Sequence, residues 1–195
     1  MQCSPVVWFL VLATVLESSR GAQLPQSDQQ REQTTFGFEW EPGDIRKPVE
    51  VPDTALQVLR DTLSRGPLNC IKGKGTTPDQ VPASWFVASE IHLDGPDEVD
   101  LIVVPNGPRM SKLPPAASCL LGANVGPFWV LRRVGGRYML LLETYALRLD
   151  VLDSRTNSYR DIQTVASTAV TSTTIVYKMA VAQYQLAGKK SEPNP

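Results

Sequence analysis

Gly135 and Gly136 stand between two runs of strand-forming residues, Phe128–Val134 and Arg137–Glu143, and no other feature of the chain constrains its fold as tightly. Adjacent glycines accept positive φ at both central positions of a two-residue hairpin turn, the backbone hand that matches the twist of paired strands. Counting outward from the turn places Arg133 opposite Tyr138, Leu131 opposite Leu140 and Trp129 opposite Leu142. One face of the hairpin is then apolar, as a strand pair packed on a core requires.

Similar runs flank it. Trp85–Leu93 and Val99–Val104 enclose the turn Asp94-Gly95-Pro96-Asp97-Glu98. Leu147, Leu149 and Val151 alternate with Arg148 and Asp150, and Thr173–Met179 is rich in Thr and β-branched residues. Asp153–Asp161 reads as a polar loop, and a turn at Ala180–Ala182 returns the chain through Tyr184. Ahead of the strands lies one helix. Thr54 is placed to cap it with Gln57 completing a capping box, Leu56, Leu59 and Leu63 with Val58 form its apolar stripe, and Gly66 and Pro67 stop it. Sixteen prolines and 13 glycines suit short strands and turns. Short connections favour antiparallel pairing over crossovers. The expected fold class is α+β, mainly β: an antiparallel β-meander or sheet with one N-terminal helix.

The ends of the 195-residue chain read differently from its middle. Val6–Leu16 is an uninterrupted apolar run of signal-peptide length, too short to span a bilayer comfortably, and Ser19 and Gly21 are the small residues that cleavage after Gly21 requires. Met1–Val6 holds no Lys or Arg, so an uncleaved anchor and a buried N-terminal strand remain the alternatives. Residues 1–21 are read as a signal peptide, 22–51 as a flexible linker, 52–187 as a β-rich globular domain and 188–195 as a disordered tail. Within the linker, Phe36-Gly37-Phe38-Glu39-Trp40 alternates three aromatics with other residues, which suits a short strand or arm docking on the domain; the other reading is an exposed partner-binding motif. Loss of the leader removes Cys3 and leaves Cys70 and Cys119 for an oxidising compartment. One disulfide between them is expected, against two buried thiols that never meet.

Little in the chain is suited to catalysis. His92 is the sole histidine, it lies in a strand pattern, and no Gly-x-Ser-x-Gly elbow accompanies it. Zinc needs clustered His or Cys ligands, which are lacking, and paired cysteines would not serve as nucleophiles. Carboxylate pairs for glycoside hydrolysis are distant in sequence, so spacing does not decide them. A net charge of −1, from 19 basic and 20 acidic residues, gives no field for nucleic acid. Gly122-Ala123-Asn124-Val125-Gly126-Pro127 reads as the turn into the next strand, with a backbone anion cradle as its alternative. No catalytic, cofactor or metal residues are assigned.

The stretch His92-Leu93-Asp94-Gly95-Pro96-Asp97-Glu98-Val99-Asp100-Leu101-Ile102-Val103-Val104 resembles one repeat of the FG-GAP and VCBS type. Such repeats set an acidic calcium-binding turn before a strand of the Asp-Leu-Ile-Val kind. This chain keeps Asp94 and Asp100 but has His92 and Pro96 at positions of oxygen ligands and Asp97 in place of the turn glycine. The order continues through Cys119–Asn124 and Asn157–Ile162, and is similar to that of exported bacterial proteins with degenerate repeats. The functional expectation is an exported, non-catalytic binding domain, periplasmic or secreted, without a cofactor. Its partner would be a protein or glycan outside the cytoplasm, met through Trp40, Trp85, Trp129, Tyr138 or Tyr184. No stable membrane span would remain after leader cleavage. The alternatives are a calcium-stabilised cell-surface module and a secreted hydrolase with an unrecognised carboxylate pair.

Overall fold

A computed structural model describes residues 32–37, 45–65, 69–107, 112, 114–122 and 125–194. In chain order the elements are β1 (Thr35–Gly37), α1 (Asp53–Arg65), α2 (Asn69–Gly73), β2 (Phe86–Ile91), β3 (Asp100–Pro105), β4 (Gly126–Val134), β5 (Arg137–Ala146), β6 (Arg148–Thr156), β7 (Tyr159–Ser167), β8 (Thr171–Ala180) and β9 (Gln183–Pro193). Every strand pairing is antiparallel. The strands form a four-stranded sheet, β2-β3-β4-β5, and a five-stranded sheet, β1-β6-β7-β8-β9. The mainly-β reading holds, but as two meanders.

Two apolar clusters assemble these parts. Leu56, Leu59 and Leu63 of α1 pack with Phe86, Leu101, Val103, Trp129 and Leu131 of the four-stranded sheet. Alternate residues of the same strands, Ile91, Ile102, Val104, Phe128 and Val130, pack with Phe36, Leu149, Val151, Ile162, Met179 and Tyr184 of the five-stranded sheet. The period of two in β3 and β4 thus explains three layers, because both faces of those strands are covered. Each such side chain, once buried, contributes about 1.5–3 kcal/mol. Phe86 meets Trp129 edge-on, with centroids 5.6 Å apart and an interplanar angle of 85°.

Several local expectations change. The Gly135-Gly136 turn has φ of 56° and 81°, as a turn with both central residues left-handed requires. Arg133 faces Tyr138 and Leu131 faces Leu140, but a bulge between Val130 and Leu131 moves Trp129 opposite Glu143 and gives Leu142 to Val130. One inserted residue swaps faces beyond it, which a straight count from the turn does not register. The helix begins at Asp53, one residue before the expected cap: Leu56 donates to the Pro52 carbonyl (2.8 Å), and the Gln57 amide reaches forward to Asp61 (3.0 Å) in place of a capping box. The expected stop at Gly66 and Pro67 lies outside the described residues.

The polar stretch 153–161 is no loop. It is the tip of the β6–β7 hairpin, turning at Asn157 and Ser158 with φ of 51° and 72°. Neither residue is glycine, so the turn carries no strong signature. The expected tail, 188–195, supplies the second half of β9, where Lys189 and Lys190 pair with Ile175 and Thr174. The linker 22–51 is also corrected where described. Phe36 is fully buried in β1, and Val49 and Ala88 exchange backbone hydrogen bonds of 2.9 and 3.3 Å. The short docking strand expected at Phe36-Gly37 is thus present, and the flexible-linker reading of the residues around it is what the sheet edge corrects. Cys70 of α2 and Cys119 of the 3₁₀ turn Pro115–Leu120 form the expected disulfide, across 49 residues and a Cα–Cα distance of 5.7 Å.

Candidate functional site

The charged side chains gather where β2 runs into β3. Asp100 opens β3 and is fully buried; its carboxylate accepts from the Leu93 amide (3.3 Å) across the turn and from the Arg133 amide (3.1 Å) on β4. Burial pushes the Asp100 carboxyl up to about 6, opposed by those two amides and by Arg132, and assisted by the Asp94 charge. Asp94 accepts from Arg132 (2.9 Å), whose guanidinium carbon stands 4.9 Å from the centroid of the Tyr159 ring. The Leu93 carbonyl accepts from the Arg160 amide (2.9 Å) and the Arg155 guanidinium (3.0 Å), so the turn is tied to β6 and β7 of the other sheet.

A second cluster adjoins it. The β6–β7 pairing skips from Val151↔Ile162 to Arg155↔Arg160. In that gap the carbonyls of Leu152 (2.9 Å) and Val151 (3.3 Å) accept from the Arg160 guanidinium, whose side chain is only 8% exposed. Its outer nitrogen donates to Glu32 (2.7 Å), and Asp153 lies 3.3 Å away. The other Glu32 oxygen accepts from the His92 amide (2.7 Å) and lies 2.9 Å from His92 Nδ1. A buried guanidinium fixed by carbonyls and facing a carboxylate is a strong, geometrically selective pair. Beneath it the Tyr184 hydroxyl donates to the Arg160 carbonyl (2.6 Å), and burial raises its pKa.

The sequence candidates distribute as follows. His92 is half-exposed and bound to Glu32, with no nucleophile partner among the described residues. Of the carboxylates that the repeat resemblance would aim at calcium, Asp94 is engaged by Arg132, Asp100 by two amides, and Asp97 is exposed. Among the described residues no group of three His, Cys, Asp or Glu is placed to hold a metal ion. Trp85, Trp129 and Tyr184 are core residues, 2%, 0% and 6% exposed, and Tyr138 packs partly buried against the helix-side cluster. They are therefore withdrawn as contact anchors; large aromatics in alternating strands were claimed by the two covered faces. Trp40 lies outside the described residues. The exposed large apolar side chains include Met139 and Tyr145 on β5 and Leu186 on β9. In the Gly122 loop, the Gly122 amide donates to the Val125 carbonyl (3.0 Å), and a Cβ there would collide with that oxygen. The glycine permits the turn itself.

Sequence reasoning missed Glu32, Arg132, Tyr159 and Arg160. Only the alternation of Tyr159 and Asp161 with Arg160 and Ile162 offered a signal, and it was masked by reading the segment as loop. A cleft of about 500 Å³ lies along the other end of β2, between Val49, Glu50, Ser84, Phe86 and Asn106. It starts roughly 17 Å along the strand from the charged end. Comparison with protein-family models, curated proteins and solved structures finds no match.

Proposed function

We propose that the chain is exported and that its domain is an extracytoplasmic binding module, contacting a protein or glycan without catalysing a reaction. The observation that carries this reading is the state of the ionisable groups at the charged end. His92, Glu32 and Arg160 hold one another, Asp94 holds Arg132, and Asp100 holds two amides. Groups committed in this way position backbone; a general base must instead face a proton on substrate. The Cys70–Cys119 bridge is compatible with an oxidising compartment, and among the described residues no helix is long and apolar enough to cross a membrane.

The contact is then assigned to Tyr145, the exposed aromatic side chain of β5. The test uses the chain as recovered from outside the cytoplasm, on a glycan array and against proteins of its native envelope. Saturable capture that weakens on Tyr145→Ala supports the reading. Turnover of an ester or glycoside panel that His92→Ala abolishes without moving Tm would overturn it.

A further inference from the structure

If the domain works by contact, as proposed above, the β6 edge is a second contact site, distinct from Tyr145, at which the structure specifies a ligand. Segment 32–37 is held there as a bound peptide is held. Its backbone adds a strand: Thr35, Phe36 and Gly37 pair with Asp150, Leu149 and Arg148, and the Val151 amide donates to the Thr34 carbonyl (2.7 Å). The Phe36 side chain is fully buried in the cluster between the sheets. Four residues earlier, the Glu32 carboxylate enters the notch made by Arg160, the His92 amide and the His92 ring. A shared ladder, a pocket for one side chain and a clamp for one charge are the components of recognition by strand addition. Because the carbonyls of Val151 and Leu152 orient Arg160, the notch belongs to the domain and is presented to whichever carboxylate arrives.

We propose that this groove accepts the Glu32–Gly37 segment of a second copy of the chain, so that two domains join by exchanging arms. Every copy carries the peptide whose fit the structure displays. Exchange within a pair leaves each contact of the closed groove unchanged, so protein concentration and the connection 38–44 set the balance between one chain and two. Seven residues span at most about 24 Å when fully extended, which bounds how far an arm can reach from its own domain. Opening the arm breaks three residue pairs and the Thr34–Val151 bond and withdraws Phe36 and Glu32 from their sites, so exchange passes through a partly opened chain.

The full chain carrying Thr35→Cys with Asp150→Cys tests this, since those positions are direct cross-strand partners. Peptide mapping checks that the Cys70–Cys119 bridge is intact. Dilute protein should form the new bridge within one chain. Concentrated protein should form covalent dimers joined through the two introduced cysteines. Excess synthetic peptide Arg-Glu-Gln-Thr-Thr-Phe-Gly-Phe, matching residues 31–38, should suppress those dimers, and its Phe36→Ala counterpart should not. Glu32→Gln alters the same contact in both forms, so it should speed subunit mixing roughly tenfold while leaving the dimer fraction unchanged. Bridging within single chains at every concentration overturns arm exchange, as do dimers indifferent to the peptide or a Glu32→Gln dimer fraction that falls at unchanged mixing rate. A strictly monomeric chain that still captures its envelope partner overturns arm exchange alone. Turnover lost on His92→Ala overturns the binding reading whatever the dimer does.

Discussion

At the scale of single residues, Asp100 couples the fold to pH. Its carboxyl lies at about 6 in the folded chain against an ordinary value of 3.8, so the fold holds this proton more tightly than the unfolded chain does. The stability it contributes is complete below about pH 4 and is lost as pH rises through about 6, a change of up to about 3 kcal/mol. Asp100→Asn removes the titration. Urea unfolding across pH 4–7 should therefore show the gap between wild type and variant shifting in favour of the variant as pH rises; a shift in favour of wild type contradicts the assignment. Asp94 and Asp100 already have partners, so millimolar calcium and a chelator should give melting curves that coincide. A clear upward shift with calcium would restore the ligand role implied by the repeat resemblance. Gly122→Ala sets a methyl group against the Val125 carbonyl and should cost about 1–3 kcal/mol in chemical denaturation.

Single elements differ in how far they could be read in advance. The α1 stripe and the β4–β5 hairpin were legible because a helical or alternating period extends through each and a Gly-Gly turn marks the hairpin. The bulge at Val130 was not, since no residue type in the local pattern marks an inserted residue. β7 was missed because Arg160, Asp161 and Thr164 are polar yet buried, and their burial is tolerated through bonds to other elements such as Arg160 to Leu152 and Ser154 to Asp161. β1 rests on one side chain. Phe36→Ala should loosen the arm at a cost of about 3 kcal/mol and raise the exchange rate of the Val151 amide, which bonds to Thr34. An unchanged exchange rate would mean that Glu32 alone retains the arm.

For the molecule as a whole, the disulfide and the central sheet do complementary work. The four-stranded sheet contributes to both apolar clusters, while Cys70–Cys119 ties the short α2 to the turn before β4. A closed loop of this length restricts the unfolded chain by about 4 kcal/mol. Reduction should accordingly lower Tm by roughly 10 °C without changing the β-rich circular dichroism signal at room temperature. A Tm unmoved by reductant would show that the unfolded chain is already restricted near those residues.

Local order was the province of the amino-acid sequence: the period of two, the helical stripe, the glycine turn and the pairing expected of Cys70 and Cys119. Each depends on residues near one another in the chain or on compartment chemistry, so each survives without knowledge of the fold. Partner choice across the chain was decided only by tertiary structure. Glu32 meets His92 and Arg160, 60 and 128 residues away, and the same polar composition that read as linker and loop becomes an ion-pair network around one buried guanidinium. The physical reason is that a charged side chain looks solvated in any local window. Whether it is buried depends on the carbonyls and guanidinium groups that distant strands bring opposite it.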